Sequence, residues 1–245
     1  MSSVIWIFLG LPSAIAVAGP GPAHPQGLGP QTLWSTPAHI ILPPELEDGE
    51  LPEWQKVLSA YIKELAQESP SNSSEDLGDV LKLGALRAPD VATAVTKLER
   101  LVEEATLQYL QTSLTDRGAE GALRRVHISV ASSWVKLNSD QYDLPHVHPK
   151  VAFAGSLYLD CDICGIYLQD PRTPAGMAEV PEALRRKLGW GELQKVHVDV
   201  GSLVLYPAWL QHAPLGSGRR REERCISFTV AVQLKELREP PADEL

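Results

Sequence analysis

Two periodicities divide the chain. Residues 51–68, "LPEWQKVLSAYIKELAQE", place Trp54, Val57, Leu58, Tyr61, Ile62 and Leu65 three and four apart. That spacing predicts an amphipathic helix. A second stripe, Val91, Val95, Leu98, Val102, Ala105 and Tyr109, predicts another helix, with Asp90 after Pro89 as its N-cap. From Arg125 the texture changes. "RVHISVASSWVKL", "VAFAGSLYLD", "GIYLQD", "KVHVDVGSLVLYP" and "RCISFTVAVQL" are short, valine-rich runs broken by turns. Five such runs after two helices predict a mainly β domain, a sandwich or barrel braced by helices, over residues 33–237. Upstream, Ile40, Ile41 and Leu42 lie between prolines, which predicts an edge strand. Ser69 to Asp79 is polar and reads as a loop, and residues 19–32 as a glycine- and proline-rich leader. No internal repeat is visible.

Composition adds limits. With 245 residues the chain can bury one sizeable core. An apolar fraction of 44% and a charged fraction of 22% are ordinary for a globular domain. A net charge of −9 argues against a general nucleic-acid binder. The basic run Gly218 to Arg224 reads as a solvated hairpin tip, although its last arginine returns below. No interior apolar stretch reaches eighteen residues, so no span is expected in the mature chain.

The two ends carry address-like patterns. Residues 1–18 have an apolar centre, Val4 to Leu11, followed by Ala16-Val17-Ala18, but no basic start. They are expected to be a secretory signal, with an organelle transit segment as the alternative. Within the tail, residues 238–245, Ala242-Asp243-Glu244-Leu245 is similar to a lumenal retention signal with its first residue changed. Together they predict the endoplasmic reticulum lumen or the secretory pathway; another organelle or the cytoplasm is the alternative. Asn72-Ser73-Ser74 is a glycosylation sequon and adds little. Cys161 and Cys164 could close a small disulfide in a lumen, and Cys225 is the third cysteine. Their strand-and-turn surroundings do not suit a redox motif.

The candidate chemistry lies in "PHVHP". In a strand, residues i and i+2 share a face, so His146 and His148 project together. His212, just beyond "SLVLYPAWL", supplies a third imidazole from a distant strand. Such a set matches the non-haem iron pattern of ligands on one face with open positions. "HVD" at His197 to Asp199 is a decoy. Only 13 residues before His212, it is expected at the opposite end of one strand, too far to share a metal. His24, His39 and His127 read as structural.

Five motifs in order, "SWVKLNSDQYDLPHVHP", "GSLYLD", "LQDPR", "GSLVLYPAWLQHAP" and "ERCISF", resemble the 2-oxoglutarate/iron(II) oxygenase family, related to prolyl and aspartyl hydroxylases. "TLWSTPAHII" resembles its opening segment. The resemblance covers residues 33–233. It implies a double-stranded β-helix, or jelly roll, with Fe(II) at its open end and 2-oxoglutarate beside it. The family's first pair is usually His-x-Asp; here it is His-x-His. Either His148 replaces the carboxylate, or His146 and His212 bind with water in the gap; Asp143 is a further, weaker candidate. The resemblance also implies a cation for the cosubstrate's far carboxylate. Arg224 fills that role, with Ser227 as a hydroxyl partner and Arg221 as fallback, since arginine pairs bidentately with carboxylates. Tyr158 resembles the tyrosine that helps hold the cosubstrate. Asp170-Pro171-Arg172 matches a family motif or is a turn with a salt bridge. The implied reaction is oxidative decarboxylation to succinate and CO2 with hydroxylation of a substrate. A lumenal location would suggest a secretory protein or peptide side chain as that substrate. Two other classes stay open: a three-histidine dioxygenase that takes no 2-oxoglutarate, and a non-catalytic jelly-roll metal-binding protein.

Overall fold

The computed structural model describes residues 4–9, 36–41, 50–68, 79–114, 123, 125–136, 144–161, 163–169, 181, 183, 193–215 and 224–234. Two strands open it, β1 (Val4–Leu9) and β2 (Thr36–Ile41). Three helices follow, α1 (Glu53–Glu68), α2 (Val80–Ala85) and α3 (Pro89–Leu114). The remainder is β3 (Val126–Lys136), β4 (Phe153–Asp160), β5 (Gly165–Gln169), β6 (Leu193–His197), β7 (Leu203–Pro207), β8 (His212–Pro214) and β9 (Arg224–Leu234).

The strands form two antiparallel sheets. One has the order β1-β2-β7-β4-β9-β3 and the other β6-β5-β8. From β3 onward the chain crosses repeatedly between them. A single bridge from His146 to His212 attaches the stretch after β3 to the free side of β8. The sequence of sheets is thus large, small, large, small, small, large, small, large. That alternation winds two antiparallel sheets face to face, which is the jelly roll.

Two cores result. The outer face of the large sheet carries Leu157, Leu203, Leu205, Ile226, Phe228 and Val230, covered by the apolar stripes of α1 and α3. The inner core, between the sheets, contains Ala154, Tyr158, Ile166, Leu168, Val204, Tyr206 and Cys225. Strand alternation sorts residues between them: Ala154, Ser156 and Tyr158 pair with Thr229, Ser227 and Cys225 on β9, and all face inward. Gly155 lies between and faces the helices. A Cβ there would stand 2.7 Å from Phe228 Cζ and closer still to the Val204 carbonyl oxygen, so only glycine lets the strands and the ring approach.

The helices are tied to the sheet by polar contacts as well. Gln55, fully buried on α1, donates to the Gly201 carbonyl in the β6–β7 turn at 3.0 Å. Asp79 caps α2 and accepts from Ser133 on β3, whose hydroxyl in turn accepts from Leu81 N–H at 2.9 Å. Three local expectations change. The helix α3 begins at Pro89, the favoured first position, and Asp90 sits inside its acidic first turn instead of capping it. The strand β2 is not an edge, because β1 pairs along it from Val4↔Ile41 to Leu9↔Thr36 and β7 holds its other side. The helix α2, directly after the expected loop, had no signal of its own. The leader and the tail lie outside the described residues. Among those described, no helix is long and apolar enough to cross a membrane.

Candidate functional site

At one end of the jelly roll, His146, His148 and His212 converge. One ring nitrogen from each lies within 4.8 Å of the others. A point equidistant from three nitrogens at that spacing is about 2.8 Å from each, so shifts of under an ångström reach an ordinary metal–nitrogen bond of about 2.1 Å. Ring centroids are 4.5 Å apart for His146 and His212, and 5.0 Å for each with His148.

Local backbone sets the rings. The amides of His146 and His212 donate to each other's carbonyls at 3.0 Å, and His148 N–H donates to Ala208 O at 2.9 Å. His146 Nδ1 lies 2.9 Å from Leu144 O, and His212 Nδ1 lies 2.9 Å from Leu210 O. A carbonyl only accepts, so both Nδ1 atoms carry the proton and both Nε2 lone pairs are left for a metal. For His148, burial followed by the nearby His146 holds the imidazole below its ordinary pKa, which favours the neutral, ligating form. Three imidazoles and no described carboxylate in the cluster suit a transition metal.

Behind the histidines lies a cavity of about 60 Å³. Its walls include Trp134, Ser156, Tyr158, Ile166, Tyr206, Cys225 and Ser227. Trp134 leans on His148 with centroids 5.3 Å apart, and Tyr206 on His212 with centroids 4.6 Å apart. The Ser156 and Ser227 hydroxyls are 3.0 Å apart across β4 and β9. Burial drives the Tyr206 phenol pKa far up, so it stays protonated.

The expected residues divide on this geometry. The three histidines come together, and Tyr158 and Ser227 line the cavity. The Tyr158 hydroxyl, however, is engaged with the Gly165 carbonyl at 2.9 Å. Arg224 is not among the lining residues; its Nη1 lies 3.2 Å from Asp160 Oδ2. It alternates with Cys225 and Ser227, the β9 side chains that face the cavity. Asp143, Arg221 and Asp170-Pro171-Arg172 lie outside the described residues. His197 and Asp199 are exposed and absent from the cluster. They are not at the far end of His212's strand, as expected, because β7 intervenes. His197 pairs with Gly165 and His212 with Leu168 on opposite sides of β5, about 14 Å apart on ordinary sheet spacings. Trp134, Ser156, Tyr206 and Cys225 went unnoticed in the sequence, although strand alternation could have placed Trp134 and Ser156.

Cys161 and Cys164 form a disulfide, with Cα atoms 5.4 Å apart, and Cys225 is free and buried.

At one end of a jelly roll, three converging histidines that could hold a metal ion stand beside a cavity lined partly by hydroxyls. Residues 132–229 match the family described as "Putative 2OG-Fe(II) oxygenase". That match covers less than half of the 245-residue chain and falls on the stretch that carries most of the motifs resembling the same family. Iron(II) and 2-oxoglutarate are the cofactors of that family, and the three-histidine cluster fits the first. Among curated proteins none matches. Solved structures that resemble the chain include an oxidoreductase of the 2OG-Fe(II) oxygenase family from Burkholderia pseudomallei, at 10% identity and TM-score 0.39 over 63% of each chain. Another is AviO1 from Streptomyces viridochromogenes Tue57, at 16% identity and TM-score 0.42 over 79% of this chain and 89% of that one. A third is an N-substituted L-amino acid dioxygenase from Burkholderia ambifaria AMMD in complex with alpha-KG, at 12% identity and TM-score 0.30 over 82% and 86%. The chain spans just under two thirds of the first of these. At such scores the fold assignment rests on the strand order above.

Proposed function

We propose that the protein is a 2-oxoglutarate-dependent dioxygenase that hydroxylates a substrate C–H bond. One atom of dioxygen would enter the substrate and the other succinate, with CO2 released. The observation that carries this reading is the convergence of three imidazole nitrogens at the mouth of a partly enclosed cavity. Bound iron would supply the oxygen chemistry. The chain's own share is fourfold. His146 and His212 present Nε2 because their Nδ1–H groups are anchored to carbonyls. His148 takes the position where a carboxylate is usual. Trp134 and Tyr206 brace two of the rings, and Ile166 and Phe228 supply apolar walls to the cavity. No protein base is needed. Anaerobic titration of Fe(II) into the purified protein, with and without 2-oxoglutarate, tests the reading. A visible charge-transfer band that needs both additives and vanishes in His146→Ala or His212→Ala supports it; iron binding with no such band sinks it.

That second outcome would support the three-histidine dioxygenase, which the His-x-His pair and the position of Arg224 outside the cavity wall favour. For the substrate, we propose a side chain of a secretory protein or peptide. The Cys161–Cys164 disulfide supports a lumenal compartment, because such bonds persist where thiols are oxidised. In a lumenal protein residues 1–18 would be removed as a signal, and β2 would then lose the partner it has in β1. Mass measurement of the N-terminus from cells decides between a cleaved signal and a retained strand.

A further inference from the structure

We propose that the substrate is an extended stretch of polypeptide, laid along residues 144–148 and anchored by an apolar side chain next to the one that is oxidised. The inference deepens the dioxygenase reading and rests on the three-histidine cluster as the catalytic centre. His146 exchanges both backbone bonds with His212, and the His148 N–H is taken by the Ala208 carbonyl. In an extended chain the residue between two such positions turns its own N–H and C=O the other way. Val147 is that residue. It is 46% exposed, and among the described residues its backbone groups have no partner. Pro145 and Pro149 on either side have no N–H to offer. The edge is therefore short, with a single donor at Val147, and is guarded against pairing with another sheet.

The surroundings are apolar. Leu144, whose carbonyl holds the His146 ring, is 80% exposed. Trp209 is 56% exposed and stands between Ala208 and Leu210, whose carbonyls hold His148 and His212. Residues 144–149 and 207–212 contain no Asp, Glu, Lys or Arg. Exposed apolar side chains rimming a site mark where a partner binds. A lipid chain would cover these side chains but offer nothing to the Val147 N–H and C=O. An extended peptide satisfies both, by pairing as an added strand. Alternation then orders the substrate. The peptide residue opposite Val147 shares its face, away from the imidazoles, and the residues on either side of it point to the face of His146 and His148. The side chain that reaches the centre is thus adjacent in sequence to one that packs on Val147.

An array of short synthetic peptides, probed with the Mn(II)-loaded protein and 2-oxoglutarate without oxygen, tests this. Peptides with a valine, leucine or phenylalanine beside a variable residue should be retained, and peptides of charged residues and glycine should not. On a retained peptide in solution, Trp209→Ala should weaken binding by about 10-fold or more, the loss at a binding hot spot, with Mn(II) affinity within about twofold of wild type. Methylating the peptide's backbone amides one at a time should weaken binding about fivefold at the residue opposite Val147, the loss of one neutral hydrogen bond, and leave the residues on either side tolerant. Retention of charged peptides, or affinity untouched by every methyl group, overturns the proposal. If Trp209→Ala loses Mn(II) as well, that residue supports the ligands, and the methylation series alone decides. Protein that binds Mn(II) and 2-oxoglutarate but no peptide overturns the proposal and leaves the dioxygenase reading standing; if vesicles of phosphatidylcholine then retain wild type and not Trp209→Ala, the surface meets lipid. Peptide binding by protein that takes no 2-oxoglutarate keeps the docking surface and overturns the dioxygenase reading.

Discussion

His146 and His212 are 66 positions apart in the sequence but meet backbone to backbone. Each N–H donates to the other's carbonyl at 3.0 Å, and their rings lie 4.5 Å apart. Two ligands are thereby fixed by main chain, while His148, one pairing along, is fixed to Ala208. A site held by backbone is preorganised, so ligand substitutions should affect metal binding and leave the fold intact. His146→Ala and His212→Ala should each weaken Fe(II) or Mn(II) binding by about 100-fold or more, beyond the loss typical of outer-shell changes. Melting temperatures of the metal-free variants should match wild type. Metal titration beside differential scanning calorimetry checks both.

His148→Asp makes the opposite prediction. Three imidazoles leave the full charge of a divalent ion uncompensated. A carboxylate at that position adds a negative charge within bonding reach and should tighten divalent metal binding by about tenfold or more. Competition against a chelator measures it. Weaker binding in the variant would mean that the backbone at His148 cannot bring a shorter side chain to the metal.

The charge inventory leads to a further expectation. With no described cation on the cavity wall, the metal is the positive charge an incoming dianion meets. Binding of 2-oxoglutarate should therefore be lost, not merely weakened, when a chelator removes the metal. Calorimetry on chelated protein tests this. Retained binding would place a cation near the cosubstrate from a segment outside the described residues.

Much of this was legible because two periodicities were clean. The stripe from Trp54 to Leu65 has one apolar face, and α1 buries it. His-x-His follows the two-residue period of a strand, so the shared face of the pair could be read directly. The helix α2 was not legible. Six residues, "VLKLGA", are too few to show a period, and long-range bonds from Asp79 and Leu81 to Ser133 hold it. Nor was it legible that Tyr206 lines the cavity or that the Tyr158 hydroxyl is engaged. The two tyrosines lie in largely apolar runs, "FAGSLYLD" and "LVLYP", buried on both faces, where Ser156 is the one polar mark that alternation offers before the last residue. The engagement of Tyr158 depends on the Gly165 carbonyl, a neighbour set by tertiary packing.

The position of Gly155 predicts a sharp stability effect. Alanine there would collide with the Val204 carbonyl and the Phe228 ring, both fixed in the large sheet. The ring can shift only by disturbing the core beneath α1 and α3. Gly155→Ala should cost about 1–3 kcal/mol, the usual price of overpacking, read as a lower urea midpoint at unchanged slope. An unchanged midpoint would mean that β4 and β7 can separate locally without loss.

Acid should weaken the fold in two stages. His39 is fully buried on β2, with Nδ1 3.3 Å from the Ala105 carbonyl on α3. Burial lowers its pKa from the ordinary 6.5, against a smaller rise from that bond. The unfolded chain then binds the proton more readily, so stability present above about pH 6.5 is lost as the pH falls toward the folded value. For Asp79, burial alone would raise the pKa, but the bonds from Ser133 and Lys82 together outweigh it and leave it below the ordinary 3.8. Its contribution is present above that value and disappears as the pH falls through the folded pKa. Urea unfolding of metal-free protein between pH 8 and 3 should show a first decline that His39→Gln flattens. A second, more acidic decline should be reduced in Ser133→Ala, which removes the bond that holds the carboxylate charged. A single decline untouched by His39→Gln would assign the first stage to other groups, and His148, also held neutral beside His146, would be the next to substitute.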